Sequence, residues 1–332
     1  MQTTLVSRRR FIGIAGAAAG MTLSPMLGAA ASQIHRWNGV AMGAEATIQL
    51  IHPDANEARR VIELAIGEIE RLENIFSLYR SDSSVSRLNR DGRLIAPPLE
   101  LVDLLTRASA VSAMSDGAFD VTVQPLWARY RDHFNANPGA TALPAVDDIL
   151  PLVDWRAVRS DGEAIAFDRP GMAITTNGIA QGYVTDRVAD LLRRNHIDAV
   201  ALNLGEVLTM GQRMDGRDWQ VGITDPANPE RVAGQIACAD RAVATSGGYG
   251  TLFDRAQHYS HLLDPRTGKT APVKRGVSVV ADSACLADAW STAFALMDSA
   301  SIRSSAHGLD KHGLDKIEVY VATPNSGLEH LV

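Results

Sequence analysis

Apolar residues recur at helical spacing from Asn56 to Tyr79, where Ala58, Val61, Ile62, Ala65, Ile66, Ile69, Leu72, Ile75 and Phe76 share one face. That period predicts an amphipathic helix. Pro97 to Ser115 reads the same way, as does Gly178 to Asn195 with Val184, Val188, Leu191 and Leu192 on one side. Leu286 to Met297 is apolar almost all round, which predicts a buried helix. Shorter runs read as strands: Val40 to Ile51 entered through Met42-Gly43, Trp219 to Thr224, Gly234 to Ala237, Ala242 to Thr245, Val277 to Ala281 and Ile317 to Ala322. Ala199 to Gly211 predicts strand, turn, strand. Ile165 to Ile174 predicts two short strands around Arg169-Pro170-Gly171. Val121 to Tyr130 fits a strand or a short helix, and His133 to Pro151 a surface excursion. The fold class is α+β, with mixed sheets and packed helices. No Gly-x-Gly-x-x-Gly follows a strand, so a Rossmann fold is not indicated.

The first residues do not belong to this pattern. Ser7-Arg8-Arg9-Arg10-Phe11-Ile12 opens an Ala/Gly-rich apolar run that reaches Leu27, and Ala29-Ala30-Ala31 offers a small-residue cleavage site. Residues 1–31 read as a cleaved export signal, and the paired arginines point to the twin-arginine route. No Cys lies near the cleavage site, so a lipid anchor is not expected and the chain is not expected to span the membrane. The expected location is periplasmic. Residues 32–332 then form one domain with 29 basic and 38 acidic residues, a net charge of −9. With no basic run, nucleic acid is an unfavoured partner. Cys238 and Cys285 fit either a disulfide or two buried thiols. His-Gly-Leu-Asp-Lys at 307–311 repeats at 312–316, as in a loop duplication.

Chemistry concentrates between Thr245 and Thr292. In Ala287-Asp288-Ala289-Trp290-Ser291-Thr292 a carboxylate and a hydroxyl stand four residues apart, hence on one helix face. With no Cys or His beside them they make half of a hard-cation site; the plain alternative is a polar pair bracing a helix. Asp282 or Ser283 would cap that helix. Upstream, the small-residue turn Ser246-Gly247-Gly248 precedes His261-Leu262-Leu263-Asp264-Pro265-Arg266-Thr267-Gly268. Turn chemistry explains Asp264 to Gly268. It does not explain His261, which suits a general base or a phosphate contact. Thr175-Thr176-Asn177-Gly178-Ile179-Ala180-Gln181-Gly182-Tyr183 opens a helix with small residues, and amides there would favour a phosphate.

Taken in order, these segments resemble the FAD:protein FMN transferase (ApbE) family. The matching pieces are Met42-Gly43, Phe76-Ser77-Leu78-Tyr79 with Ser86 and Asn89, Gly117-Ala118-Phe119-Asp120 and Gly178-Ile179-Ala180-Gln181-Gly182-Tyr183. Asn203-Leu204-Gly205-Glu206, the His261 to Gly268 segment and Ala287 to Thr292 complete the set. The resemblance implies an ApbE-like fold, FAD and Mg²⁺ as ligands, and transfer of the FMN half of FAD to a Thr or Ser of a partner flavoprotein with release of AMP. By position it implies Asp288, Thr292 and the Gly178 carbonyl as metal ligands. It places Met42, Tyr79, Ala118, Phe119, Asp120, Thr175, Gln181 and Leu262 against FAD. It gives His261, with Asp288, the catalytic work on the acceptor hydroxyl. Much of the family has Asp and Lys where this chain has Thr175 and Gln181. That variant, with the twin-arginine signal, resembles the NosX branch, which implies the membrane-bound NosR protein of nitrous-oxide respiration as acceptor. Hydrolysis of FAD to FMN and AMP, and FAD binding without catalysis, are the competing readings of the same residues.

Overall fold

Met42 and Gly43 both adopt left-handed backbone, with φ of 51° and 76°. Two such residues close a hairpin whose twist matches its strands. The run from Val40 to Ile51 is therefore not one strand. It is the tip of a hairpin between β2 (Gln33–Ala41) and β3 (Ala44–His52), closed at the Ala41–Ala44 pair, and it follows a short β1 (Ile12–Ile14). The computed structural model describes residues 12–14, 32–311, 316–324 and 326–332. The export signal predicted over residues 1–31 lies outside them except for β1, which pairs antiparallel with β9 below.

Helix α1 (Ala55–Phe76) is capped by Asp54 and buries the face expected from its spacing. The turn-rich stretch after it folds into α2 (Ser84–Asp91), capped by Ser83 and stopped at the left-handed Gly92. Next come β4 (Arg93–Ile95), α3 (Leu99–Met114) and α4 (Gln124–Ala136). Helix α4 settles Val121 to Tyr130 as helix and takes the first residues of the supposed surface excursion. Strands β5 (Val158–Ser160) and β6 (Ala164–Phe167) follow. No hairpin forms around Pro170. Instead β6 pairs with β4 on one side and β5 on the other, while the Asn89 side chain takes up both the N–H and the carbonyl of Ile174.

The remaining elements are α5 (Ala180–Arg194), β7 (Val200–Asn203), β8 (Val207–Met210), β9 (Trp219–Asp225), β10 (Asn228–Cys238), β11 (Ala242–Gly247), β12 (Gly276–Ala281), α6 (Ala284–Ala295), α7 (Ser299–Lys311), β13 (Glu318–Thr323) and β14 (Gly327–His330). The first His-Gly-Leu-Asp-Lys copy ends α7 rather than sitting in a loop, and residues 312–315 of the second lie outside the described set.

Eight antiparallel strands form the main sheet in the order β14-β13-β12-β11-β8-β7-β3-β2. Helices α1, α3, α5 and α6 pack together on one face, and β9–β10 covers part of the other. Strands β11 and β12 are therefore buried on both sides, which explains their lack of polar alternation. Along β11, Ala242 and Ala244 face the helices and Val243 faces the small sheet. The same alternation turns Ser246 toward α6. Cys238 and Cys285 are both buried free thiols, so the disulfide alternative falls.

Candidate active site

Helices α5 and α6 cap each other. Asp186 on α5 accepts from the Ser283 hydroxyl at 2.7 Å and from the Ala284 and Cys285 amides at 2.7 and 3.0 Å. Ser283, not Asp282, is the α6 cap residue. In return Asp288 on α6 accepts from the Gly182 amide, in the first turn of α5, at 3.1 Å. Gly182 allows this approach: a Cβ there would lie 2.1 Å from the Ala284 carbonyl oxygen. Burial raises the Asp186 carboxyl above its usual range, against the three donors that favour its charged form. Asp288 is wholly buried. The amide expected to greet a phosphate at this helix start is thus given to a carboxylate, which the positive end of α5 stabilises.

One turn beyond Asp288, the Thr292 hydroxyl reaches the surface of a cleft. The backbone of Gly178 runs against it, so that a Cβ at Gly178 would lie 3.0 Å from Thr292 Oγ1 and 3.3 Å from the Phe119 ring. A hydroxyl and a bare backbone meet there, with the Asp288 carboxylate one helical turn behind. All three offer oxygen, the donor type that suits Mg²⁺ or Ca²⁺ rather than zinc. Among the described residues no group of three or more His, Cys, Asp or Glu side chains could hold a metal. A cation here would depend on the hydroxyl and the Gly178 carbonyl as well as Asp288.

The cleft has three adjoining lobes that share Trp127 and Asn177. The widest, about 590 Å³, runs past Tyr79, Ser86, Asn89 and Arg131. A second, about 80 Å³, is lined by Ala118, Phe119, Asp120, Thr175, Gly178, His261, Leu262 and Thr292. The third, about 50 Å³, lies among Met42, Gln181, Thr251 and His261. The largest lobe alone falls within the roughly 300–1,000 Å³ typical of small-molecule sites. The structure brings every candidate site residue to this cleft except Asp288, which lies behind Thr292.

Local structure sets each wall. Glu73 of α1 accepts from the Met42 and Gly43 amides and holds the hairpin tip in place; burial pushes its carboxyl up. Asp120 does not present its carboxylate to the cleft as a lone group. It caps a short helical turn, accepting from the Thr122 amide and hydroxyl at 2.8 and 2.6 Å and from the Trp155 amide at 3.0 Å, while burial raises its pKa. Thr175 accepts from the Asn177 amide at 3.2 Å and so shapes the turn into α5. Gln181 is buried, with its amide over Gly205. Tyr79 is 62% exposed on the rim.

The shorter of the two Nδ1 contacts of His261 favours one tautomer. Its Nδ1 lies 2.9 Å from the Thr251 carbonyl oxygen, which can only accept, so Nδ1 carries the proton. The more distant Thr251 amide, at 3.3 Å, does not reverse that assignment. Nε2 is then the basic nitrogen.

Three contributors were hidden in the sequence. Trp127 has the spacing of a packing residue on α4, and it does touch Phe253 at 5.6 Å between ring centroids, yet it lines all three lobes. Asn177 sits inside a recognised motif, but nothing in its type marks it as shared by all three lobes. Ser246 looks like part of a glycine turn; it belongs to β11, and its hydroxyl lies 3.1 Å from that of Thr292.

An antiparallel α+β frame with a cleft of small-molecule size beside oxygen donors and a histidine defines the class: an enzyme acting on a small-molecule ligand. The chain belongs to the ApbE family, whose profile matches residues 42–315. It is similar to a FAD:protein FMN transferase of Klebsiella pneumoniae, 28% identical over 274 residues that cover 79% of this chain and 82% of that one. A FAD:protein FMN transferase of Vibrio cholerae is 29% identical over 279 residues, 80% of this chain and 82% of the other. The crystal structure of the ApbE protein of Thermotoga maritima superposes with a TM-score of 0.78 at 25% identity, covering 90% of this chain and 97% of that one.

Proposed function

We propose that this chain transfers FMN from FAD to a Thr or Ser hydroxyl of a partner flavoprotein and releases AMP. The observation that carries the reading is the placement of His261 and the Thr292–Gly178 donor pair on one lobe of the cleft. The acceptor oxygen attacks the FMN-side phosphorus of the FAD pyrophosphate. The bond from that phosphorus to the bridging oxygen breaks, and AMP leaves with the oxygen. His261 Nε2 takes the proton of the attacking hydroxyl, which the Nδ1–H···O=C bond to Thr251 keeps it ready to do. Asp288, Thr292 and the Gly178 carbonyl would hold Mg²⁺, whose charge would offset that of the phosphates.

The Arg8-Arg9-Arg10 signal supports export by the twin-arginine route and work in the periplasm. Among the described residues no helix is long and apolar enough to cross a membrane. The Thr175 and Gln181 variant supports a membrane-bound acceptor of the NosR kind. Incubating the protein with FAD and Mg²⁺, with and without such an acceptor domain, tests the reading by AMP release. Release that depends on the acceptor supports transfer, and release at the same rate without it identifies a pyrophosphatase.

A further inference from the structure

The Thr292 hydroxyl is oriented by a chain of hydroxyls that ends in the interior of α6. Ser291 Oγ lies 2.9 Å from the carbonyl oxygen of Asp288. A carbonyl only accepts, so the single Ser291 proton points to it. Ser246 Oγ lies 2.9 Å from Ser291 Oγ, and Ser291 has no second proton to give, so Ser246 is the donor there. Ser246 Oγ also lies 3.1 Å from Thr292 Oγ1, and its own proton is already committed. The proton between those two must come from Thr292. Each hydroxyl has one proton and two lone pairs, so three distances settle all three directions.

We propose that Ser246 and Ser291 are positioning residues that fix the Thr292 hydroxyl as a donor toward the β-sheet, and hence as a lone-pair acceptor toward Gly178 and the cleft. The chain starts at a carbonyl of the helix that carries both side-chain ligands. It holds the Thr292 proton on the side away from the face that a cation would meet. Without it the Thr292 proton is free to turn into the cleft, where it opposes a positive ion. Ser246 and Ser291 are buried, and neither lines the cleft. Their influence on a bound ion therefore passes through Thr292. The proposal rests on the cation site described above.

Mn²⁺ binding, followed by electron paramagnetic resonance of the free ion without FAD or acceptor, separates the two claims. Wild type, Asp288→Ala, Ser246→Ala, Ser291→Ala and the Ser246→Ala/Ser291→Ala pair are titrated, and thermal midpoints are measured alongside. Partners of metal ligands typically contribute about 10- to 100-fold in affinity. Ser246→Ala and Ser291→Ala are each expected to weaken Mn²⁺ by roughly 10-fold, the lower end of that range. The pair should be no weaker than Ser246→Ala alone, because both act on one proton. Wild-type affinity in both single variants, with binding lost in Asp288→Ala, overturns the hydroxyl chain and leaves the cation site standing. Affinity losses that multiply in the pair also overturn it, since independent packing effects would add. Wild-type affinity in Asp288→Ala overturns the cation site itself.

Discussion

Gly182→Ala is the sharpest perturbation of the α5–α6 contact. The new Cβ would meet the Ala284 carbonyl oxygen at 2.1 Å, its carbon at 2.5 Å and Cys285 Cα at 2.8 Å, all of them backbone atoms. Real Cβ contacts do not fall below 3.0 Å, so the helices must separate by about 0.9 Å or more at this point. A shift of that size stretches the 3.1 Å bond from the Gly182 amide to Asp288 beyond hydrogen-bonding range. Overpacking of this kind costs about 1–3 kcal/mol, and losing a hydrogen bond to a charged acceptor about 1.5–3 kcal/mol. Alanine recovers about 1 kcal/mol in helix propensity. The net loss is about 1.5–5 kcal/mol, or a fall of roughly 2–8 °C in thermal midpoint for a chain of this size. Differential scanning fluorimetry measures the midpoint, and a Mn²⁺ titration measures the displacement of Asp288. A variant that melts within about 1 °C of wild type and binds Mn²⁺ as tightly would refute the close α5–α6 approach and the mutual capping built on it.

Asp288→Ala should abolish metal-dependent transfer with the fold retained; full transfer in metal-controlled buffer would show that the carboxylate is not a ligand. Gly205→Ala combines a backbone held at φ of 109° with a Cβ 2.3 Å from the Gln181 amide nitrogen. It should destabilise by about 1–3 kcal/mol in urea melts. Adding Gln181→Ala should recover only the steric part, and complete recovery would mean that the backbone angle costs nothing. Trp127→Ala should weaken FAD binding by roughly 10-fold, as measured by flavin fluorescence, because loss of a stacking ring costs about 1–3 kcal/mol; Trp127→Phe should keep most of the affinity. His261→Gln should leave FAD affinity near wild type and slow transfer by at least about 100-fold. An equal loss in binding would make His261 a ligand contact rather than a base.

The helices that bury one stripe or a whole surface were legible because their periodicity is local. Helix α1 is set by its apolar spacing and α6 by a largely apolar run interrupted by Asp288, Ser291 and Thr292, and the structure moves their ends by a few residues only. Strands β11 and β12 were legible from their apolar content, although not from alternation, since both faces are covered. Elements whose reason lies elsewhere in the chain were not. Helix α2 is short and mostly polar; its caps and the two buried apolar residues Val85 and Leu88 define it, too little for a periodicity to show. Strand β6 looks paired with the residues after Pro170, but its hairpin partner is β5, before it, and Ile174 is held by Asn89. The site divides in the same way. Asp288, Thr292 and His261 stand in contiguous motifs whose residue types single them out as candidates. The roles of Ser246 and Gly182 exist only when β11 meets α6 and α5 meets α6. Asp120 shows a role the sequence does not announce: it lines the cleft and its carboxylate also caps a helical turn.

The central claim is covalent transfer, and intact mass spectrometry of the acceptor tests it most directly. The protein, FAD, Mg²⁺ and an acceptor domain with one candidate Thr are incubated and the acceptor is weighed. The account predicts a gain of one FMN less one water, confined to that Thr and absent when it is replaced by Ala. An acceptor of unchanged mass, while FAD is consumed and free FMN and AMP accumulate, would contradict it.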